Sequence, residues 1–269
     1  MCWNHLNLNF SWYEMIIKLF IFSIGAIFGS FLNVCIYRLP EKKSIISPGS
    51  ACPNCTIPIP FYYNIPIFSY LFLKGRCHNC TYKIPLHYLI VELFTAFITL
   101  FNYSQFDLSP AFYAYTILTY ALLVVAVIDI KTHLILNKVL IVLLIFGLVL
   151  NISFPFTAWT DALWGMVAGG MSMFFIAFLG KLLFKKESLG MGDVKLVAVV
   201  GFFVGWLHTL VAIYLGFLLA FIWLMVTKRS KGINRDGYIP LGPFLSVAFM
   251  VFVYWGNSIL RYYITHFLR

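Results

Sequence analysis

Of the nine acidic residues in the chain, two stand where an ionised carboxylate is expensive. Asp129 ends the apolar run Leu122-Leu123-Val124-Val125-Ala126-Val127-Ile128, and Asp193 opens another in Gly190-Met191-Gly192-Asp193-Val194-Lys195. An ionisable group in or beside hydrocarbon marks function by default. Two carboxylates in contact cannot both ionise easily, so such a pair shares one proton around neutral pH. Its ionised member can activate water while the protonated member polarises a peptide carbonyl. Gly190 and Gly192 would leave room for an extended substrate backbone beside Asp193. The plainer alternative is interfacial charge pairing, Asp129 with Lys131 or His133 and Asp193 with Lys195. Glu92, inside Val91-Glu92-Leu93, is a further candidate, either a buried hydrogen-bonding partner or a substrate contact.

A second constellation is Cys52-Pro53-Asn54-Cys55 followed by Cys77-His78-Asn79-Cys80. A two-residue gap lets both sulfurs of one turn reach a single tetrahedral ion, so Cys52, Cys55, Cys77 and Cys80 read as a closed, structural zinc site. His78 is a possible substitute for one thiolate. Two disulfides would be the alternative, and a cytoplasmic location opposes them. Residues 37–85 are too few to build much of a core, so metal would supply the folding energy. Cys2 and Cys35 lie outside the pattern and read as packing residues.

The elements that position these residues follow from composition. The 269 residues are 62% apolar and 10% charged, with a mean hydropathy of +0.91. Soluble domains run near 45–50% apolar and about 25% charged, so a standard soluble enzyme, a disordered chain and a secreted disulfide scaffold are excluded. The apolar runs are long and do not alternate, which selects spanning helices over barrel strands. The sequence reads as an all-α polytopic membrane protein with about eight transmembrane helices, near 15–36, 86–104, 111–130, 138–153, 161–184, 193–207, 208–227 and 243–264. The break near His208 has the least polar sequence to mark it.

Alternate loops carry Arg38, Lys42, Lys43, Lys74, Arg76 and Lys83, then Lys131 and Lys138, then Lys181, Lys185, Lys186 and Lys195, then Lys228, Arg229, Lys231 and Arg235. These are 16 of the 19 basic residues, while the loops around Asp107 and Asp161 hold none. Basic residues collect in short cytoplasmic loops, so both termini are expected outside the cytoplasm and Asp129 and Asp193 at cytoplasmic helix ends. The net charge of +10 is then a topology signal; spread over four juxtamembrane loops, it argues against a nucleic-acid partner. No basic region precedes the first apolar run, so that run is expected to stay as a helix rather than leave as a signal peptide. Gly25/Gly29, Gly165/Gly169 and Gly201/Gly205 have the spacing that lets helices approach closely.

The sequence resembles the type IV prepilin peptidase family. The resemblance rests on Gly29-Ser30-Phe31-Leu32-Asn33-Val34-Cys35-Ile36-Tyr37-Arg38-Leu39-Pro40, the double Cys-x-x-Cys loop, Asn64-Ile65-Pro66, Val91-Glu92-Leu93, Asp129 through Asn137, Gly190 through Leu196, and Ile239-Pro240-Leu241-Gly242-Pro243-Phe244. It implies an aspartyl endopeptidase of the bacterial inner membrane with Asp129 and Asp193 as the catalytic pair, supported by Gly190, Gly192, Glu92 and Lys195. Prepilins or pseudopilins would be the substrates and membrane lipids would be partners. It also implies methylation of the new amino terminus with S-adenosylmethionine, for which the sequence carries no glycine-rich turn of its own. The domain plan is then a transmembrane helix at 1–36, a cytoplasmic four-Cys zinc-binding domain at 37–85 and a membrane-embedded protease domain at 86–269. One departure is Ile135-Leu136-Asn137, where the family has Ile-Pro before Asn or Asp. The alternatives are a membrane aspartyl protease without methyltransferase activity, or a non-enzymatic zinc-stabilised transporter or assembly factor.

Overall fold

The computed structural model describes residues 12–185, 189–230 and 240–267. Cys2, Lys186, Lys231, Arg235 and Ile239 lie outside them. Among the described residues there are no strands. The long helices are α1 (Trp12–Arg38), α3 (His87–Phe106), α4 (Pro110–Thr132), α5 (Asn137–Ser153), α6 (Trp159–Phe184), α7 (Met191–Val204), α8 (Trp206–Ser230) and α9 (Gly242–Phe267), with a short α2 (Phe68–Phe72) in the loop between α1 and α3. The eight long helices fall where the apolar runs place them. Six are long and apolar enough to cross a membrane. The other two, α5 and α7, have 17 and 14 residues, which at 1.5 Å per residue span roughly 26 and 21 Å against about 30 Å of hydrocarbon.

The chain divides into two compact units, residues 1–35 with 44–107, and residues 36–43 with 108–269. The sequence division at 36 and 85 follows the order of segments along the chain; compactness follows packing. In the first unit α1 and α3 pack closely. A Cβ on Gly25 would lie 2.8 Å from the Ala96 Cα, and one on Gly29 2.7 Å from the Glu92 Cα, so both positions admit only glycine at this approach. Phe22 meets Phe97 edge to face at 5.2 Å, and the Asn33 amide donates to the Tyr88 carbonyl at 3.0 Å.

In the second unit α7 is the central element, packed on α4, α5, α6, α8 and α9. Beyond Asp193 and Lys195 near its start its sequence is apolar on all sides, which suits a helix enclosed by protein, and Val194, Leu196, Val197, Val200, Phe202 and Phe203 are all buried. Leu118, Leu122 and Val125 of α4, Leu143 of α5, Met173 of α6 and Phe249 of α9 complete the core. Gly165 of α6 meets Gly201 of α7 backbone to backbone. Gly205 serves differently: with φ +79° it ends α7 and lets α8 begin, which puts the break three residues before His208. The outer faces of α5 and α6 expose Ile141, Ile145, Val149, Trp164, Met171 and Phe175, as faces turned to lipid should.

Candidate active site and metal centre

Asp129 lies in the last turn of α4 and Asp193 in the first turn of α7. Both are buried, 4% and 5% exposed, and they lie within electrostatic reach of each other. Neither makes the lysine pair that the charge-pairing alternative requires among the described ion pairs. Lys195 instead donates to the Asn137 side-chain oxygen at 3.3 Å, joining the start of α7 to the start of α5. His133 does lie within electrostatic reach of Asp129.

The partners of the two carboxylates differ. The backbone N–H of Gly242, the first residue of α9, donates to Asp129 Oδ2 at 3.0 Å. The opening N–H groups of a helix have no intrahelical acceptor and favour an anion. A Cβ at position 242 would sit 2.7 Å from that oxygen, so only glycine allows the approach. Asp193 Oδ1 is buried with no hydrogen-bond partner among the described residues. A buried carboxylate oxygen left alone costs free energy unless a proton, water or substrate group meets it. The Gly242 N–H thus holds Asp129 Oδ2 as a hydrogen-bond acceptor.

Gly190 holds an extended backbone at the start of α7 and its carbonyl accepts from Asp193 N–H at 3.1 Å. Gly192 does not face open space: a Cβ there would lie 2.9 Å from the Ile135 Cβ. Its small size therefore serves the approach of α7 to the turn after α4. The proline missing at position 136 leaves the start of α5 in place, with Leu136 extended at φ −79° and Asn137 opening the helix.

In the first unit the sulfurs of Cys52, Cys55, Cys77 and Cys80 all lie within 4.8 Å of one another. Zinc–sulfur bonds of about 2.3 Å in a tetrahedron put the sulfurs about 3.8 Å apart, and Cys52 and Cys80 are separated by 3.7 Å. The cluster can hold a metal ion of that size. His78 is not part of it; its ring stacks on Tyr63 at 4.3 Å. Two equivalent turns build the cluster. Thr56 N–H donates to the Cys52 carbonyl and Cys52 N–H to that of Ile57; Thr81 and Cys77 repeat this with Cys77 and Tyr82. Thr56 and Thr81 take the same positive φ, 57° and 55°. Hydrogen bonds from the Tyr82 backbone and the Asn54 side chain bring the Cys80 thiol down to about 6, a thiolate ready for a cation. Burial pushes Cys52 up to about 11, a cost that a bound cation offsets.

Glu92 is buried in α3. Its Oε2 accepts the backbone N–H of Ile67 at 2.8 Å, and the Ser30 hydroxyl is its other partner. Ile67 has φ 65° and ψ −56°, and Phe68 N–H donates to the Pro66 carbonyl at 2.6 Å. This is the strained form of the γ-turn, on a β-branched residue that rarely takes positive φ.

Sequence reasoning missed the roles of Gly242 and Ile67. The first had a signal in Gly242-Pro243, a backbone donor just before a proline at a helix start. The second had none, because nothing in Asn64-Ile65-Pro66-Ile67 asks for positive φ.

The fold and these groups define a polytopic helical membrane protein with two buried aspartates at helix ends and a four-cysteine loop that can hold a metal. Residues 23–106 match the model of the bacterial peptidase A24 N-terminal domain, and residues 116–225 that of the type IV leader peptidase family. The matched stretches part close to residue 107, where the two compact units divide. The chain is 33% identical to a prepilin leader peptidase/N-methyltransferase of Pseudomonas aeruginosa, over 90% of this chain and 91% of that protein. To the protein of that name from Aeromonas hydrophila it is 34% identical, over 92% and 94%, and to that of Legionella pneumophila 27%, over 98% and 99%. No solved structure matches. The chain belongs to the type IV leader peptidase family.

Proposed function

We propose that this multi-pass inner-membrane protein cleaves the leader of type IV prepilins and pseudopilins at the cytoplasmic membrane face, and then N-methylates the new amino terminus. Membership of the family and the names of its relatives support the reaction class. What supports the site is that Asp129, anchored by Gly242 N–H, lies within electrostatic reach of Asp193, whose buried Oδ1 has no hydrogen-bond partner among the described residues.

In this mechanism the pair holds one proton and a water between them. The ionised carboxylate takes a proton from water as it attacks the scissile carbonyl, and the other member donates to the carbonyl oxygen. The protonation states then reverse to release the amine. No covalent intermediate forms. Gly242 N–H keeps Asp129 Oδ2 an acceptor throughout, which fixes that carboxylate's orientation. Lys195 acts from outside the pair, tying α7 to α5 through Asn137.

The four cysteines hold zinc in a structural role, ordering a loop too short for a core of its own. S-adenosylmethionine would supply the methyl group at a site formed by the cysteine loop, with no single residue of this chain assigned to the donor. Both termini lie outside the cytoplasm, and the basic loops meet anionic lipid headgroups, so the apolar helix of the substrate provides most of the affinity. The deciding experiment incubates purified protein in lipid with a prepilin. Wild type is expected to release the leader and Asp129→Asn and Asp193→Asn to leave it intact; near-normal cleavage by either variant would remove the aspartate pair from the mechanism.

A further inference from the structure

The loop between α1 and α3 carries no acidic residue from position 44 to position 91, yet its most strained backbone position is held by a buried carboxylate from α3. Three features converge there. Ile67 adopts φ 65° although it is β-branched. Its N–H, turned away from any helix or strand partner, ends on Glu92 Oε2 at 2.8 Å. Glu92 in turn rises from a point of close approach between α3 and α1, with Gly29 against its Cα and the Ser30 hydroxyl as a second partner.

The turn leads directly to the metal cluster. Ile67 is the residue before α2, and Tyr70 of α2 donates its hydroxyl to the Ile84 carbonyl at 3.1 Å. The Tyr70 carbonyl accepts from Gly75 N–H at 2.8 Å, and a Cβ at Gly75 would lie 2.8 Å from the Tyr70 hydroxyl. Gly75 and Ile84 are the two ends of the second cysteine turn, joined by Ile84 N–H at 2.8 Å. A short chain of contacts therefore runs from Glu92 through Ile67 and Tyr70 to Cys77 and Cys80. Strained backbone persists only where its surroundings over-determine it; Ser69 bridges Ile65 and Tyr62 across this turn, and Glu92 alone among the side chains meets the Ile67 N–H.

We infer that Glu92 is a positioning residue for the methyl-transfer reaction: by accepting the Ile67 N–H it clamps the Pro66–Phe68 turn and so fixes α2 and the second cysteine turn on the α1–α3 pair. The inference rests on the proposed methyltransferase activity of the loop, and goes beyond it in naming the residue that sets the loop's position. What the clamp requires is an acceptor, not a charge. A glutamine supplies one oxygen to Ile67 and an amide to Ser30 Oγ; an alanine supplies neither.

The test compares Glu92→Ala, Glu92→Gln and wild type, all full-length in lipid nanodiscs with zinc bound. Amide hydrogen exchange over 67–72 is expected to quicken about tenfold or more in Glu92→Ala and to return to wild-type rates in Glu92→Gln. Methyl-transfer kcat at saturating donor should fall about tenfold in the alanine variant and recover in the glutamine one, a larger loss than any in prepilin cleavage. Zinc content stays at the wild-type level, which separates positioning from loss of the metal site. Unchanged exchange in Glu92→Ala, or a glutamine variant as defective as the alanine one, overturns the inference. If wild type cleaves but does not methylate, the methyltransferase reading fails and exchange alone decides the clamp. Should Glu92→Ala not accumulate, Glu92→Asp, one methylene short of Ile67, takes its place with the same expectations.

Discussion

Each pair of sulfurs is set by hydrogen bonds inside one short turn, from Ser50 to Ile59 or from Gly75 to Ile84, and the Asn54 side chain reaches across from one turn to Cys80 of the other. Asp129 instead meets a donor 113 residues further along the chain, and its carboxylate partner comes from a third helix. The first centre is encoded where it stands; the second exists only once α4, α7 and α9 have packed. The comparison predicts which perturbations each centre feels. Damage to helix packing should reach hydrolysis and spare the metal, whereas damage to the turns should release the metal and spare hydrolysis.

The largest expected effect lies at the packed centre. Replacing Asp129 or Asp193 by asparagine removes a titrating member of the pair, and loss of general acid–base action costs roughly 10²–10⁴-fold or more in kcat. Zinc content should not change. Cleavage is followed by mass spectrometry of the prepilin and metal by elemental analysis; an asparagine variant that lost zinc as well would show the two centres to be coupled.

At the local centre, Cys52→Ser with Cys55→Ser leaves two thiolates, too few for a closed zinc site. Zinc should fall from about one per chain to background, and residues 50–85 should become readily cut by protease, since metal and folding are linked in such loops. Methylation should disappear while cleavage continues. Equal loss of both activities would mean that the turns support the aspartates too, and the contrast between the centres would fail.

A finer cut is made by Gly242→Ala. The added Cβ falls 2.7 Å from Asp129 Oδ2, so the N–H must withdraw or the carboxylate must turn. A hydrogen bond to a charged group contributes about 1.5–3 kcal/mol, so cleavage kcat/KM should drop by about 10–100-fold. Methylation of a substrate supplied already cleaved should be unaffected.

Legibility in the sequence divides along the same line. Cys52-x-x-Cys55 and Cys77-x-x-Cys80 were readable because spacing alone determines whether two sulfurs of a turn can meet. The wider repeat around them went unread: Cys-x-Asn-Cys-Thr-x-x-Ile recurs after 25 residues, and the two copies form the same hydrogen bonds. The eight apolar runs gave eight helices, since hydrocarbon leaves the backbone no other partner. Asp129 and Asp193 stood out against apolar neighbours. The contacts around them did not, because Gly242 meets Asp129, Ile135 meets Gly192 and Asn137 meets Lys195 only through tertiary approach, and a glycine needed for closeness looks in sequence like a glycine needed for a turn. Gly192 is the instructive case: expected to make room for substrate, it makes room for Ile135.

The smallest expected effect tests the departure at Leu136. In the resemblance this position is proline, and its loss left the start of α5 without a built-in constraint. The backbone shows why the helix begins regardless. Leu136 sits at φ −79°, close to the value a proline ring imposes, and its carbonyl accepts from Val139 N–H and Leu140 N–H, a role proline retains. Residues 133–136 are outside α4 and α5, so Ile135 is not asked to be helical before a proline. Leu136→Pro should therefore fit without moving Asn137 or its bond to Lys195. Its main action is on the unfolded chain, whose freedom it reduces, worth about 0.4–1 kcal/mol of added stability. Cleavage should stay within about twofold of wild type, with a slightly raised thermal midpoint in detergent. A fall in cleavage comparable to that of Gly242→Ala would show that the turn after Asp129 must give during the reaction, and that the packed centre relies on a freedom its family pattern forgoes.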